Sequence, residues 1–283
     1  MDEREQQRRG WAAAQLNLNG RDCHWQAVAG DASARRYFRL GQGEGSRIAM
    51  DAPPASEKNQ AFLEVRALLE DGGVRVPILE AGNLEDGFLL LDDLGDELLL
   101  VYLDSLSVDR LYTQALDMLL DIQALDSAAR LPAYDEAVLA EELSRFPQWF
   151  CEGLLQLDLS AGERELLENS ARVMIDQISQ QPRVFVHRDY HSRNLLLLPG
   201  GELACIDFQD ALHGPLCYDL VSLMRDCYIR WPGPKVRQWA LQYRQRLLQL
   251  GYPAGESEEQ FLRWFDWTGL QRHLKVLGNF SRL

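Results

Sequence analysis

Val184-Phe185-Val186-His187-Arg188-Asp189-Tyr190-His191-Ser192-Arg193-Asn194-Leu195-Leu196-Leu197-Leu198-Pro199-Gly200-Gly201-Glu202-Leu203-Ala204-Cys205-Ile206-Asp207-Phe208-Gln209-Asp210 is the stretch on which the fold turns. It reads as a short apolar strand, a polar loop, a second short strand, a Pro-Gly-Gly turn and a third strand ending at Ile206. The hairpin fixes the acids relative to one another. Asp189 and Asn194 close the two ends of the loop, and Asp207 follows thirteen residues after Asn194.

Phosphoryl transfer calls for such a set. Charge spreads over the phosphoryl oxygens in the transition state, so a cation must bridge the nucleotide phosphates while a carboxylate orients the acceptor and takes its proton. Magnesium takes oxygen ligands, and carboxylate and amide oxygens beside phosphates and water make a typical shell.

On the N-terminal side, residues 1–20 predict a short helix. Trp25 to Val28, Tyr37 to Leu40 and Arg47 to Met50 predict an antiparallel meander, with turns at Gly30-Asp31-Ala32-Ser33 and Gly41 to Ser46. Ala61, Phe62, Val65, Leu68 and Leu69 make one helical face, stopped at Asp71-Gly72-Gly73. Val76 to Leu79 and Gly87 to Leu91 predict two more strands. From Asp104 onward the spacing is helical, over Leu106–Leu125, Ala137–Leu155 and Ala161–Ile178 before the hairpin, and around Asp219–Arg230, Lys235–Leu250 and Glu258–Leu277 after it. The expected architecture is α+β and bilobal, with a small β-rich lobe over residues 1–93 and a larger, mostly helical lobe over 94–283.

A net charge of -14 over 283 residues supplies no basic footprint for nucleic acid or an anionic membrane. The greasiest run, Phe88 to Leu103, is broken by Asp92, Asp93, Asp96 and Glu97, so no transmembrane segment is expected. Five cysteines without a C-x-x-C pair argue against a disulfide framework or thiolate zinc site. No secretory signal is read in MDEREQQRRGW, and a cytoplasmic, monomeric protein is expected.

H-R-D-x-x-x-x-N followed by I-D-F resembles the catalytic loop and metal motif of protein kinases. Tyr190, His191 and the later G-P-L-C-Y-D-L-V-S-L are closer to the aminoglycoside and choline phosphotransferase branch. G-D-A-S-A-R-R-Y-F-R-L, M-D-A-P-P, F-L-L-L-D-D-L-G-D, I-D-F-Q-D-A-L-H-G-P and Q-R-H-L-K resemble the anomeric cell-wall sugar kinases, from about Gly30 to the end of the chain. The resemblance implies a protein-kinase-like fold. It also implies ATP and Mg2+ as cofactors, and the anomeric hydroxyl of N-acetylmuramate or N-acetylglucosamine as acceptor in peptidoglycan recycling. Carried over, it makes Asp189 the base and Asn194 and Asp207 the magnesium ligands. His187 and Asp219 become braces of the loop. Leu91, Asp92, Asp93 and Leu94 form a hinge meeting adenine, Gly30 to Ser33 the turn over the phosphates, and Glu64 the ion-pair glutamate.

The kinase lysine of the third strand is absent from Arg47-Ile48-Ala49-Met50-Asp51, and Arg35, Arg36 or Lys58 are the substitutes at hand. Members of that family are expected to run on past the equivalent of Arg282-Leu283. His191, Arg193, Asp226, Arg230 and Trp231 are candidate acceptor contacts, weighed against loop bracing for His191 and ordinary core packing for Trp231. His24, His213 and His273 read as ordinary histidines. The alternatives are a kinase for another small hydroxyl acceptor, of aminoglycoside, choline or homoserine type, and a nucleotide-binding protein without turnover.

Overall fold

The computed structural model describes residues 2–17, 24–28 and 34–282. In chain order its first elements are α1 (Glu3–Gln15), β1 (Trp25–Val28), β2 (Arg36–Leu40), β3 (Arg47–Asp51), α2 (Asn59–Asp71), β4 (Leu79–Asn83) and β5 (Phe88–Asp92). There follow α3 (Val108–Gln123), α4 (Glu136–Arg145), a π-helical stretch Phe146–Leu154, α5 (Ala161–Ser179) and β6 (Arg183–Val186). The remainder is β7 (Leu195–Leu197), β8 (Leu203–Cys205), β9 (Leu212–Pro215), α6 (Tyr218–Met224), α7 (Gly233–Gln249) and α8 (Glu258–Arg282). They form two compact units, Met1–Glu97 with Leu196–Gln209, and Leu98–Leu195 with Asp210–Leu283. The sequence divides the chain at 93/94 and leaves the hairpin with the helical part; in the structure the hairpin clusters with the sheet.

In the first unit the strands run β1-β2-β3-β5-β4, antiparallel throughout. β5 is inside that order, and Phe88, Leu89, Leu90 and Leu91 are all buried, which is why the run is continuously apolar rather than alternating. The α2 face of Phe62, Val65, Leu68 and Leu69 is buried as its spacing predicts. Asp2 caps α1 by accepting the Glu5 N–H at 2.6 Å. That helix is then tied to the sheet through a carboxylate with no exposure, Asp51, which meets Arg4 at 2.6 Å, Arg8 at 3.1 Å and Arg36 at 2.7 Å. The strand expected over Val76 to Leu79 begins instead at Leu79. Pro77 has no N–H to give a ladder, and the Ile78 N–H goes to the Asp92 carboxylate at 2.6 Å.

Gly87 turns β4 into β5 at φ +74°, and a Cβ there would lie 2.0 Å from the Ala52 carbonyl oxygen. That residue pair also carries the Ala52 N–H to Gly87 carbonyl bond at 2.8 Å. Gly87→Ala is therefore expected to destabilise the sheet unit by about 2 kcal/mol or more, from a left-handed φ and a backbone clash together. Denaturant unfolding checks it, and an unchanged midpoint would show that the turn can relax.

In the second unit β6 pairs antiparallel with β9. Leu139 and Leu143 of α4 pack with Tyr134, Met174, Ile175, Ile178, Val186 and Tyr218 in one core. α5 starts at a capping box, Ser160 with Glu163. α6 stops at Met224, short of the expected Arg230, because Asp226 directs its carboxylate to other backbone. No helix among the described residues is long and apolar enough to cross a membrane.

Candidate active site

The loop from His187 to Asn194 hangs between β6 and β7, and it is shaped both by bonds from outside its own sequence and by bonds within it. His187 and Arg188 donate their N–H groups to Asp219, in the first turn of α6, at 2.6 and 3.0 Å. Arg188 sits at φ +78°, a region costly for a side chain with a Cβ. It is held there from both ends, because its guanidinium reaches Glu142 at 2.6 Å. The Tyr190 hydroxyl donates to the Ala115 carbonyl of α3 at 2.7 Å. Ser192 donates both its N–H and its hydroxyl to Asp226, and its carbonyl accepts from Leu100 at 3.0 Å. The loop closes on itself where the Asp189 carbonyl accepts from the His191 N–H and the Asn194 side-chain amide, each at 3.0 Å.

Within this pinned loop the Asp189 carboxylate is half-buried and accepts no hydrogen bond among the described residues. Burial alone would push its pKa up. Lys275, the His191 and His187 rings and Arg272 together outweigh burial and hold the carboxyl below its usual range, so it is ionised at neutral pH. For Asp219 burial wins over its two N–H donors and pushes the carboxyl up to about 7.

Two of those charges come from α8, within the Q-R-H-L-K string to which the sequence assigns no role, and the structure joins to them a residue that the sequence does not single out. Glu142 of α4 has no exposure and gathers Arg188, Lys275 at 3.0 Å, Gln271 at 3.0 Å and the Tyr134 hydroxyl. Lys275 also donates to the Tyr218 hydroxyl at 2.9 Å. Despite burial, Lys275 and Arg188 pull Glu142 down to about 2. The available signal was positional. Phe261, Phe265, Thr268, Arg272 and Lys275 follow one another at three- to four-residue steps, and all are buried on α8. A polar residue continuing a buried stripe is a candidate for a paired interior charge.

The candidate acceptor contacts separate. His191 lies against Tyr228, ring centroids 5.4 Å apart, and its Nδ1 is buried without a hydrogen-bond partner. Burial pulls its pKa down. Arg193 is exposed and stacks its guanidinium 4.8 Å from the Tyr228 ring centre. Asp226 braces the loop through Ser192 and also accepts the Tyr228 N–H at 3.1 Å. Arg230 is exposed. Trp231 donates to the Tyr112 hydroxyl at 3.0 Å and packs edge-on against Trp239, an aromatic cluster rather than an open ring face.

In the first unit, Asp207 follows β8 at φ +64° and accepts from the Gln209 side chain at 2.7 Å. Phe208 stacks on Phe62 of α2 with centroids 5.1 Å apart, and the Cys205 N–H donates to the Arg75 carbonyl at 2.8 Å. Those contacts seat Asp207 on the sheet unit. Arg35 is buried and pairs with Glu57 at 3.0 Å, while Arg36 pairs with Asp51. Glu64, expected as the ion-pair glutamate, meets no cation among the described residues. Glu64 is exposed and accepts from Gln60 of its own helix at 2.9 Å, and the buried arginine–glutamate pair of this region is Arg35–Glu57. Asp92 is bound by Arg75 and the Ile78 N–H. Asp93 is forked by Arg39, accepts the Ser46 hydroxyl at 2.7 Å, and caps the Gly95 N–H at 3.0 Å; Leu94 beside it is buried. The two acids are thus taken up by arginines and by nearby hydroxyl and backbone N–H groups. Ser33, with the Gly30 turn, lies outside the described residues.

An antiparallel sheet unit carrying an acid after its hairpin, and a helical unit presenting a braced Asp189 loop, define a protein-kinase-like α+β phosphotransferase. The chain belongs to the phosphotransferase enzyme family, which matches residues 24–268. It is 44% identical over 259 residues to the N-acetylmuramate/N-acetylglucosamine kinase of Pseudomonas aeruginosa, covering 90% of this chain and 75% of that one. The protein of the same name from Neisseria meningitidis is 37% identical, with 93% and 79% covered. Among solved structures, the Plasmodium vivax ethanolamine kinase superposes with a TM-score of 0.67 at 11% identity, covering 94% of this chain and 78% of that one. An aminoglycoside-3'-phosphotransferase of type VIII does so at 0.57 and 21%, covering 91% and 98%.

Proposed function

We propose that this protein is an ATP-dependent kinase that phosphorylates the anomeric hydroxyl of N-acetylmuramate, N-acetylglucosamine or both, in cytoplasmic recycling of cell-wall sugars. The observation that carries the reading is the Asp189 carboxylate, ionised and without a hydrogen bond in a loop whose backbone is fixed on three sides. The identity to relatives bearing that name supports the acceptor.

Asp189 takes the proton of the attacking hydroxyl. A hemiacetal hydroxyl is more acidic than an ordinary alcohol, so a single placed carboxylate suffices as base, and positioning supplies most of the remaining acceleration. The donor set fits magnesium. Asn194 brings an amide oxygen and Asp207 an anionic one, the ligand types that magnesium takes. Among the described residues no group of three or more His, Cys, Asp or Glu could by itself hold a metal ion. When bound, magnesium would neutralise charge on the transferring phosphoryl group. Residues 1–93 would meet the nucleotide, with backbone of Leu91 to Leu94 at adenine. Arg35 and Arg36, although already engaged with Glu57 and Asp51, are the cations nearest in sequence to the phosphate turn. Residues 94–283 would receive the sugar.

The test is ADP release with magnesium-ATP on N-acetylmuramate, N-acetylglucosamine and kanamycin at equal concentration, with phosphorus NMR of the product. Turnover of an N-acetyl sugar to its 1-phosphate is expected. Turnover of kanamycin alone would move the protein to an aminoglycoside acceptor, and nucleotide binding without turnover of any of the three would remove the amino-sugar assignment.

A further inference from the structure

Among the described residues four arginines and lysines are buried, and three of them have a carboxylate. Arg8 has Asp51, Arg35 has Glu57 and Lys275 has Glu142. The fourth, Arg272 of α8, is 3% exposed and has no Asp or Glu within ion-pair range. Its hydrogen-bond partner is the Cys227 thiol, at 3.5 Å, a weak acceptor for a guanidinium. A charge buried without an opposite charge is costly, and arginine is almost never buried unpaired unless something else supplies the anion.

Its surroundings say where that anion would sit. Arg272 shares α8 with Gln271 and Lys275, whose polar ends both meet Glu142, the carboxylate that holds Arg188 next to Asp189. The positive charge of Arg272 reaches both Asp189 and His191. His191 brings a second buried polar atom without a partner, Nδ1. The two acceptor sugars named for the relatives differ in one respect that matters to a guanidinium. N-acetylmuramate carries a carboxylate on a lactyl ether, where N-acetylglucosamine has a hydroxyl.

We propose that Arg272 recognises the carboxylate of the acceptor and sets the preference between the anionic and the neutral amino sugar. The proposal rests on the amino-sugar kinase reading. A guanidinium pairs with a carboxylate through two parallel N–H bonds, and Arg272 would thereby acquire the directly bonded carboxylate that Asp189, acting on it only from beyond ion-pair range, does not supply. The neutral sugar leaves the guanidinium unpaired and gains nothing from it.

The experiment compares kcat/KM for N-acetylmuramate and N-acetylglucosamine in the wild type, Arg272→Gln and Arg272→Lys. Loss of a charge-assisted pair should lower the muramate-to-glucosamine ratio by about 10- to 100-fold in Arg272→Gln, with partial recovery in Arg272→Lys. An unchanged ratio with kcat reduced on both sugars would overturn the proposal, since it would place the guanidinium on the transferred phosphoryl group or in a purely structural role. Should the variants fail to fold, alkylation of Cys227 in the wild type, followed by peptide mass spectrometry with magnesium and a non-hydrolysable ATP analogue present, gives an independent readout. Saturating N-acetylmuramate should slow labelling more than saturating N-acetylglucosamine, and equal protection would also overturn the assignment. If the wild type phosphorylates neither sugar, the amino-sugar reading falls first, and the role of Arg272 falls with it.

Discussion

Asp189→Asn is expected to lower kcat by about 10²- to 10⁴-fold, the usual contribution of a placed general base. The bonds that shape the loop use the Asp189 carbonyl and N–H, not its carboxylate, so an asparagine keeps them. Affinity for magnesium-nucleotide should therefore stay within about threefold, because the loss falls on the transition state rather than on ground-state binding. Steady-state kinetics with calorimetric titration of a nucleotide analogue separates the two quantities. Near-full activity in the variant would remove Asp189 from the role of base. A parallel collapse of nucleotide affinity would instead mean that the loop itself had moved.

Glu142→Ala is expected to be among the most destabilising single changes in the second unit. It leaves Lys275 and Arg188 with cationic ends buried beside a missing carboxylate, and breaking a buried pair in this way costs roughly 3–5 kcal/mol. For a chain of this size that is a fall of ~10 °C or more in Tm. The pH dependence has a definite sign. The Glu142 carboxyl is lower in the folded protein than its ordinary 4.5, at about 2. It thus contributes stability that is complete above pH 4.5 and is lost as pH falls through 4.5 toward 2. Melting curves of wild type and variant should converge over that acid window. A constant gap between them would show that the ion cluster is not the source of the difference.

The motif around Asp189 was legible because its logic is local. Loop, strand, turn and strand lie within one run of residues, and the acids fall where the hairpin puts them. The sheet was legible for the same reason, with β2 and β3 bounded by turn residues and β5 by its apolar run. Glu142 and Lys275 were not. In sequence they are one charge among several on helices α4 and α8, and only the packing of those helices shows that both point inward to the same place. The strand edge near Ile78 was misread because a side chain, Asp92, takes a backbone donor that a propensity argument assigns to the ladder. Asp226 followed the same pattern, since a carboxylate near the acceptor region proved to be occupied by Ser192.

The interleaving of the two units bears on the order in which a ribosome delivers them. The five-strand sheet is complete at Asp92, yet the hairpin that packs with it arrives only with Leu196–Gln209. Glu142 is likewise made long before Lys275 can reach it. Neither unit can reach its final packing from a contiguous, early-made segment, and closure over such separations slows folding. A nascent chain of this protein thus carries a sheet without its hairpin until Gln209 is made, and an interior glutamate without its lysine until α8 has emerged. The helix that sets the charge around the base is also the one whose synthesis ends that exposure.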